Sequence, residues 1–213
     1  MKDSLILCST NRGVFQQTRK LINSLKDKGA LYMEQSGTSC VALARNLALT
    51  TACQALDEAP CAKTLVMLDD DMDAQAAVVQ ELVAMSRKLK QACSATYTTA
   101  TGTISHSPAP QLGKGLWFAG LGMIAIPRAA ILRVRDESPT FKVGTRIGVR
   151  AFTEARMIDG EWSSEDYTLS RRLGGVVLLP IAAGHLKVQS LQPNHLQLDT
   201  VAKSFAEFAN GRL

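Results

Sequence analysis

Along this chain, short apolar runs alternate with longer stretches whose apolar residues recur at helical spacing. Residues 4–9 (Ser-Leu-Ile-Leu-Cys-Ser) read as a first strand, and Thr10-Asn11-Arg12-Gly13 as the polar loop after it. Val14, Phe15, Thr18, Leu21, Ile22 and Leu25 then recur at the three- and four-residue steps of an amphipathic helix, with Gly29 as its stop. Ala30 to Glu34 predicts a second strand, Ser36-Gly37-Thr38-Ser39 a turn, and residues 40–57 an Ala/Leu-rich helix carrying Arg45 and Asn46. After Pro60, Leu65-Val66-Met67-Leu68 is apolar without interruption, as expected of a strand buried on both faces. Val78, Val79, Leu82, Val83, Met85 and Leu89 mark a third helix, with Arg87, Lys88 and Lys90 favouring its carboxyl end.

Strand and helix thus alternate three times, the pattern of a doubly wound parallel sheet. Ser94 to Thr99 predicts a fourth strand, and residues 100–115, rich in Gly, Pro and Ser, a loop. Leu116 to Ile126 reads as one or two strands, with Gly120 and Gly122 permitting close backbone approach. Residues 128–160 read as polar and irregular, a candidate binding segment. Trp162-Ser163-Ser164-Glu165-Asp166-Tyr167 opens a short helix that Gly174-Gly175 ends. Val176 to Leu179 and His185 to Ser190 read as late strands, and residues 199–210 as a terminal helix. No repeat or linker breaks residues 1–213, so one domain is expected.

Composition narrows the class. Hydrophobic residues make up 46% of the chain and aromatics 5%, which fits a water-soluble α/β protein and argues against disorder. No apolar run approaches the roughly 20 residues of a membrane span. The opening Met-Lys-Asp-Ser-Leu-Ile-Leu-Cys is too short in apolar residues for a signal peptide, so a cytoplasmic location is expected. The five cysteines (Cys8, Cys40, Cys53, Cys61, Cys93) have no C-x-x-C spacing and read as reduced thiols. A net charge of +5 favours an anionic partner without identifying it.

The candidate chemistry starts where the central strand meets Asp69, Asp70 and Asp71. Three adjacent carboxylates repel one another and are costly to ionise near apolar walls. A hard divalent cation relieves both costs, since it prefers carboxylate oxygens and keeps positions open for phosphate. A solvated acidic turn with Asp73 capping the next helix is the alternative. The chain has neither a G-x-G-x-x-G nor a G-x-x-x-x-G-K-[ST], so phosphate would need another partner. Arg12 and Arg45 both follow predicted strands and are candidates, each also readable as a surface arginine.

These features, in this order, resemble the A-type (GT-A) nucleotide-sugar glycosyltransferases, particularly the compact family-two-like enzymes of bacteria and phages. The likeness rests on the loop Ser9-Thr10-Asn11-Arg12, the helix with Ala44-Arg45-Asn46, and the strand ending in Asp69-Asp70-Asp71. Gly120 with Gly122, Glu165-Asp166 and Gly184-His185 complete it, so that it spans residues 5–190. The resemblance implies a single-domain GT-A fold: a Rossmann-like, mostly parallel mixed sheet flanked by helices. Residues 1–93 would be its nucleotide-binding half and 94–213 its acceptor-binding half. It further implies a donor such as a UDP-sugar, bordered by Thr10, Arg12, Arg45, Asp69 and Asp70. A manganese or magnesium ion would be ligated by Asp71, with Asp69 in or near its shell and His185 as a third ligand; a one-residue slip would substitute Asp70. His185 also reads as a structural histidine, as do His106 and His195.

Asp166, supported by Glu165, matches the general base of inverting members, where a carboxylate takes the proton of the attacking hydroxyl. The same acids also suit the first turn of a helix. Trp117, Gly120, Gly122, Trp162, Arg146 and Arg150 would border the acceptor; both tryptophans read equally as core.

Residues 128–156 contain Arg128, Arg133, Arg135, Lys142, Arg146, Arg150 and Arg156 against three acids, Asp136, Glu137 and Glu154. A basic acceptor rim fits a polyanion. The expectation is therefore a phage-type hexosyl- or pentosyltransferase acting on a hydroxymethylated pyrimidine in DNA, with glycan, lipopolysaccharide or protein acceptors as alternatives. Two other classes compete: an Asp-x-Asp phosphohydrolase, whose motif normally ends the first strand, and a non-catalytic nucleic-acid-binding module.

Overall fold

The computed structural model describes residues 1–10, 13–36, 40–98, 105–106, 115–154, 156–158, 161–186 and 195–210. In chain order the elements are β1 (Ser4–Thr10), α1 (Gln16–Asp27), β2 (Leu31–Ser36), α2 (Val41–Glu58), β3 (Thr64–Asp69), β4 (Met72–Asp73) and α3 (Ala76–Leu89). There follow β5 (Cys93–Thr96), β6 (Met123–Pro127), α4 (Arg128–Asp136), β7 (Thr140–Val143), β8 (Arg146–Arg150) and β9 (Arg156–Ile158). The chain continues with β10 (Glu161–Ser163), α5 (Glu165–Arg172), β11 (Val177–Ala182), β12 (Gly184–His185) and α6 (His195–Asn210).

A six-stranded sheet, ordered β11-β5-β6-β3-β1-β2, is the frame. Every pairing in it is parallel except those of β6, which runs antiparallel to both β3 and β5. This is the mostly parallel mixed α/β sheet flanked by helices that the sequence led us to expect. The alternation of side chains along a strand sorts the core into two layers. Leu5, Leu7, Leu65 and Met67 face one side, against Ala48, Leu49, Ala52, Cys53 and Leu56 of α2 and Leu169 of α5. Ile6, Cys8, Val66 and Leu68 face the other, against Leu21, Ile22 and Leu25 of α1 and Val79, Leu82 and Val83 of α3. With both faces covered, only apolar residues suit β1 and β3, which explains their unbroken runs.

Gly29 ends α1 with φ of 86°, while Ala30 N–H returns to Leu25 C=O and Gly29 N–H to Lys26 C=O. The left-handed conformation that such a helix end requires is cheap for glycine. None of the five cysteines is in a disulfide, and burial pushes the thiols of Cys8, Cys53 and Cys93 up to about 12. Among the described residues no helix is long and apolar enough to cross a membrane.

One expectation is corrected. Residues 128–160 are not irregular: they hold α4, the β7–β8 hairpin and β9. In α4 only Ile131 and Val134 are fully buried, a narrow stripe that the surrounding arginines hide from a reading of periodicity. Within Leu116 to Ile126 only β6 is a strand of the sheet, and before it lie single bridges, Trp117 to Val176 and Ala119 to His106. Gly120 and Gly122 lie in the turn that leads into β6. The predicted strand at His185 to Ser190 begins as β12, and its residues beyond 186 lie outside the described ones.

Candidate functional site

β1, β3 and β5 all deliver their carboxyl ends to one edge of the sheet, where open α/β sheets place their ligands. At that edge the acids after β3 diverge. Asp69 turns toward α2, where its Oδ1 lies 3.5 Å from Arg45 Nη1. Asp70 turns toward the β1–α1 loop, its Oδ2 accepting the Thr10 hydroxyl at 2.9 Å, while its C=O accepts Phe15 N–H. Asp71, only 2% exposed, turns toward β12, its Oδ1 lying 3.1 Å from His185 Nε2. The short antiparallel pair β4–β12 sets that last contact by placing His185 opposite Met72. Three consecutive carboxylates, mutually repulsive in sequence, are thus separated by three different partners.

Arg45 is the hub. Its side chain is almost wholly buried, and its second guanidinium nitrogen, Nη2, lies 3.1 Å from Asp166 Oδ1. One guanidinium therefore joins the end of β3 to the start of α5. The two nearby carboxylates hold the Arg45 pKa above its ordinary value against the opposing effect of burial. Asn46 fixes the neighbouring backbone: its amide donates to Thr153 C=O at 2.8 Å and accepts Thr153 N–H at 3.0 Å. The Thr153 hydroxyl donates in turn to Glu165 C=O, so α2 clamps the start of α5 through the segment between them.

Asp166 occupies the first turn of α5, which Ser164 caps by accepting Tyr167 N–H. One helical turn later Ser170 bonds both N–H and C=O of Ala119, pressing α5 against the Gly120–Gly122 turn. Burial, helped by the Glu165 and Asp69 charges, pushes the Asp166 carboxyl up to about 6, although Arg45 and the Leu121 N–H favour its ionised form. A carboxyl that titrates near 6 ionises just below neutrality while staying basic enough to accept a proton. The capping and proton-acceptor readings of these acids are compatible, since the helix start is what aims Asp166 into the site.

Tyr97, just past β5, had no signal in the sequence. It is 5% exposed, and its hydroxyl accepts Gly122 N–H at 2.8 Å. A Cβ on Gly120 or Gly122 would lie 2.5 or 2.6 Å from that oxygen, and one on Gly122 also 3.1 Å from Asp69 Oδ2. Glycine at both positions reflects this close approach. The glycines offered the only hint of a bulky neighbour; nothing identified it as Tyr97.

Among the described residues no group of three or more His, Cys, Asp and Glu side chains is gathered to hold a metal. Asp71 and His185 do suit two positions on one ion: their 3.1 Å separation matches neighbouring ligands of an octahedral cation, about 3 Å apart when each bond is near 2.1 Å. His185 Nδ1 is buried without a hydrogen-bond partner among the described residues. Asp69 lies against Arg45 instead.

The predicted acceptor residues divide. Gly122 abuts Asp69 and the Tyr97 hydroxyl, and Gly120 abuts the Tyr97 hydroxyl and Ser105. Trp117 is fully buried, its indole N–H donates to Ser204 at 2.8 Å, and His106 meets it edge-on at 4.7 Å. A side chain so enclosed cannot stack on a sugar, and Trp117 is core. The backbone of Trp162 lies in β10, its side chain outside what is described, as are all of Arg12 and the side chain of His195. Arg146 and Arg150 are tied to the middle of α2, Arg146 donating to the Thr51 hydroxyl and Arg150 N–H to that of Thr50. Those anchors lie about 8–9 Å along the helix from Arg45, at 1.5 Å per residue. Arg128 caps the far end of α2 at Leu56, Ala59 and Ala62 C=O, so this basic segment does not line the acid site as one rim.

No protein-family model matches the chain, and comparison with curated proteins finds no match. Solved structures are similar in fold. The crystal structure of A197 from STIV superposes with a TM-score of 0.56 at 18% identity, over 90% of this chain and 95% of that one. A glycosyltransferase involved in the glycosylation of the major capsid of PBCV-1 superposes with a TM-score of 0.40 at 14% identity, over 61% of this chain and 63% of that one. At 18% identity the likeness to A197 establishes a shared fold, and the weaker superposition adds nothing to it.

Proposed function

We propose that this protein is a glycosyltransferase that moves a sugar from a nucleotide-sugar donor to an acceptor hydroxyl, with inversion. The observation that carries the reading is the single buried guanidinium of Arg45 between Asp69 and Asp166 at the carboxyl edge of the sheet. It joins the carboxylate at the end of β3, which on this reading borders the nucleotide, to a second carboxylate whose raised pKa suits proton acceptance. Asp166 takes the proton of the acceptor hydroxyl as that oxygen attacks the anomeric carbon. Arg45 keeps Asp166 oriented and offers positive charge close to where a diphosphate would lie. Thr10, bonded to Asp70, shapes the loop beside the nucleotide. Asp71 and His185 would hold a divalent cation, whose charge would stabilise the departing nucleoside diphosphate.

For the acceptor we propose a polyanion, DNA included, on the strength of the positive net charge and of the exposed Lys142 and Arg146 on the β7–β8 hairpin. A thermal-shift panel of UDP-sugars and other nucleotide sugars, each with and without manganese, tests the donor. Stabilisation that needs both sugar nucleotide and metal, and is lost in Asp71→Ala, is the expected result. Silence of the whole panel in both conditions would count against the reading.

A further inference from the structure

Tyr97 reaches both carboxylates of the site through one turn of backbone. Its hydroxyl accepts Gly122 N–H at 2.8 Å and fits against Gly120 and Gly122 so tightly that a Cβ at either position would force it to shift. The turn it wedges is tied to both acids: Gly122 C=O accepts Asp69 N–H at 2.9 Å, and Ala119, just before the turn, is held through its N–H and C=O by Ser170, one helical turn after Asp166 on α5. Behind the phenol, Tyr97 C=O accepts Ser105 N–H at 2.9 Å and Ser105 C=O accepts Gly120 N–H, closing a buried network around the same turn. On its other side the ring lies 6.0 Å from that of His185. A phenol that accepts one hydrogen bond keeps its own proton to donate, and the charges around it are those of Arg45, Asp69 and Asp166.

We infer that Tyr97 is a positioning residue: its hydroxyl sets the Gly120–Gly122 turn and, through it, the separation at which Asp69 and Asp166 share Arg45. The effect on turnover rests on the glycosyltransferase reading, whereas the effect on geometry does not. A side chain that only filled space would be replaced by phenylalanine at little cost to the site. One that places two carboxylates through its oxygen would not.

The test is Tyr97→Phe, read first without substrate. In proton–nitrogen NMR spectra the Leu121 and Gly122 amides and the Arg45 guanidinium should shift, while the β7–β8 hairpin amides stay in place. An unmoved Arg45 guanidinium overturns the inference. With the sugar nucleotide that the wild type turns over, kcat should fall at least tenfold while KM for that donor changes less than threefold. An undiminished kcat, or a loss confined to KM, overturns it as well. Should Tyr97→Phe fail to fold, Gly120→Ala tests the same wedge by displacing the hydroxyl rather than deleting it, and the same Arg45 shift decides. A wild type that turns over no sugar nucleotide sinks the glycosyltransferase reading alone, and the Arg45 spectrum still settles the positioning claim.

Discussion

Helix α2 carries an arginine–carboxylate cluster at each end, and the two are built on opposite terms. At the carboxyl edge of the sheet, Arg45 is buried and shared between Asp69 and Asp166 at 3.5 and 3.1 Å. About 18 Å further along the helix, by its 1.5 Å rise, Asp57 is 53% exposed and meets Arg135 at 2.6 Å and Arg128 at 3.8 Å. The shortest contact is therefore at the exposed end. Contact length is a poor guide to consequence, because solvent screens the exposed pairs while the buried guanidinium has no water to fall back on. The exposed cluster ties α4 to the end of α2. The buried one leaves two carboxylates competing for a single cation, an arrangement that serves folding poorly.

The sharpest way to break this comparison is Asp166→Asn. Loss of a general base costs about a hundredfold to ten-thousandfold in rate, so turnover of the donor found in the panel should fall by at least two orders of magnitude. The melting temperature should stay within a few degrees. Activity that survives this change would deny Asp166 its role.

Next in size is Arg45→Met against Asp57→Asn, compared by urea denaturation. Removing Arg45 leaves Asp69 and Asp166 without their shared cation, and breaking a buried pair costs about 3–5 kcal/mol. Removing the Asp57 charge should cost less than about 1 kcal/mol. Similar losses at both sites would erase the distinction drawn here.

The pH dependence refines it further. Folding raises the Asp166 pKa from 3.8 to about 6, so the folded state binds its proton more tightly than the unfolded one. The stability this contributes is complete below pH 3.8 and is lost as pH rises through 6. Turnover runs the other way, since the base must be ionised, and should climb through about pH 6 to a plateau. Asp166→Asn should flatten the stability change between those values. The smallest expected effect is on DNA affinity. Arg146→Glu, on the exposed hairpin, should weaken binding to duplex DNA and reduce the slope of log affinity against log salt by about 1 or more. An unchanged slope would remove DNA from the acceptor proposal.

Much of the site could be read from the chain because its parts sit beside strong local signals. Asp69 to Asp71 end an apolar strand, Arg45-Asn46 lie in the helix after the second strand, and Glu165-Asp166 open a capped helix. What could not be read was where each side chain points. That depends on partners remote in sequence, such as Thr10 for Asp70 and His185 for Asp71. The contacts made by the arginines of residues 128–150 were not legible for a related reason. The charge of these side chains suggested a binding rim, but several are spent on backbone carbonyls, as with Arg128 at the end of α2 and Arg150 on Ser138.

The sequence by itself determined the order of strands and helices through β3 and the α3 that follows, apart from the two-residue β4 between them, together with the two-sided burial of β1 and β3 and the edge of the sheet at which the acids emerge. Those features follow from side-chain periodicity and from the cost of burying polar groups, both of which act over a few neighbouring residues. Only the tertiary structure decided that β6 runs antiparallel between β3 and β5, that Trp117 is core, and that Tyr97 wedges the turn between two carboxylates. Each of these depends on which distant segments meet, and a ladder register or a close backbone approach leaves little trace in the periodicity of either segment alone.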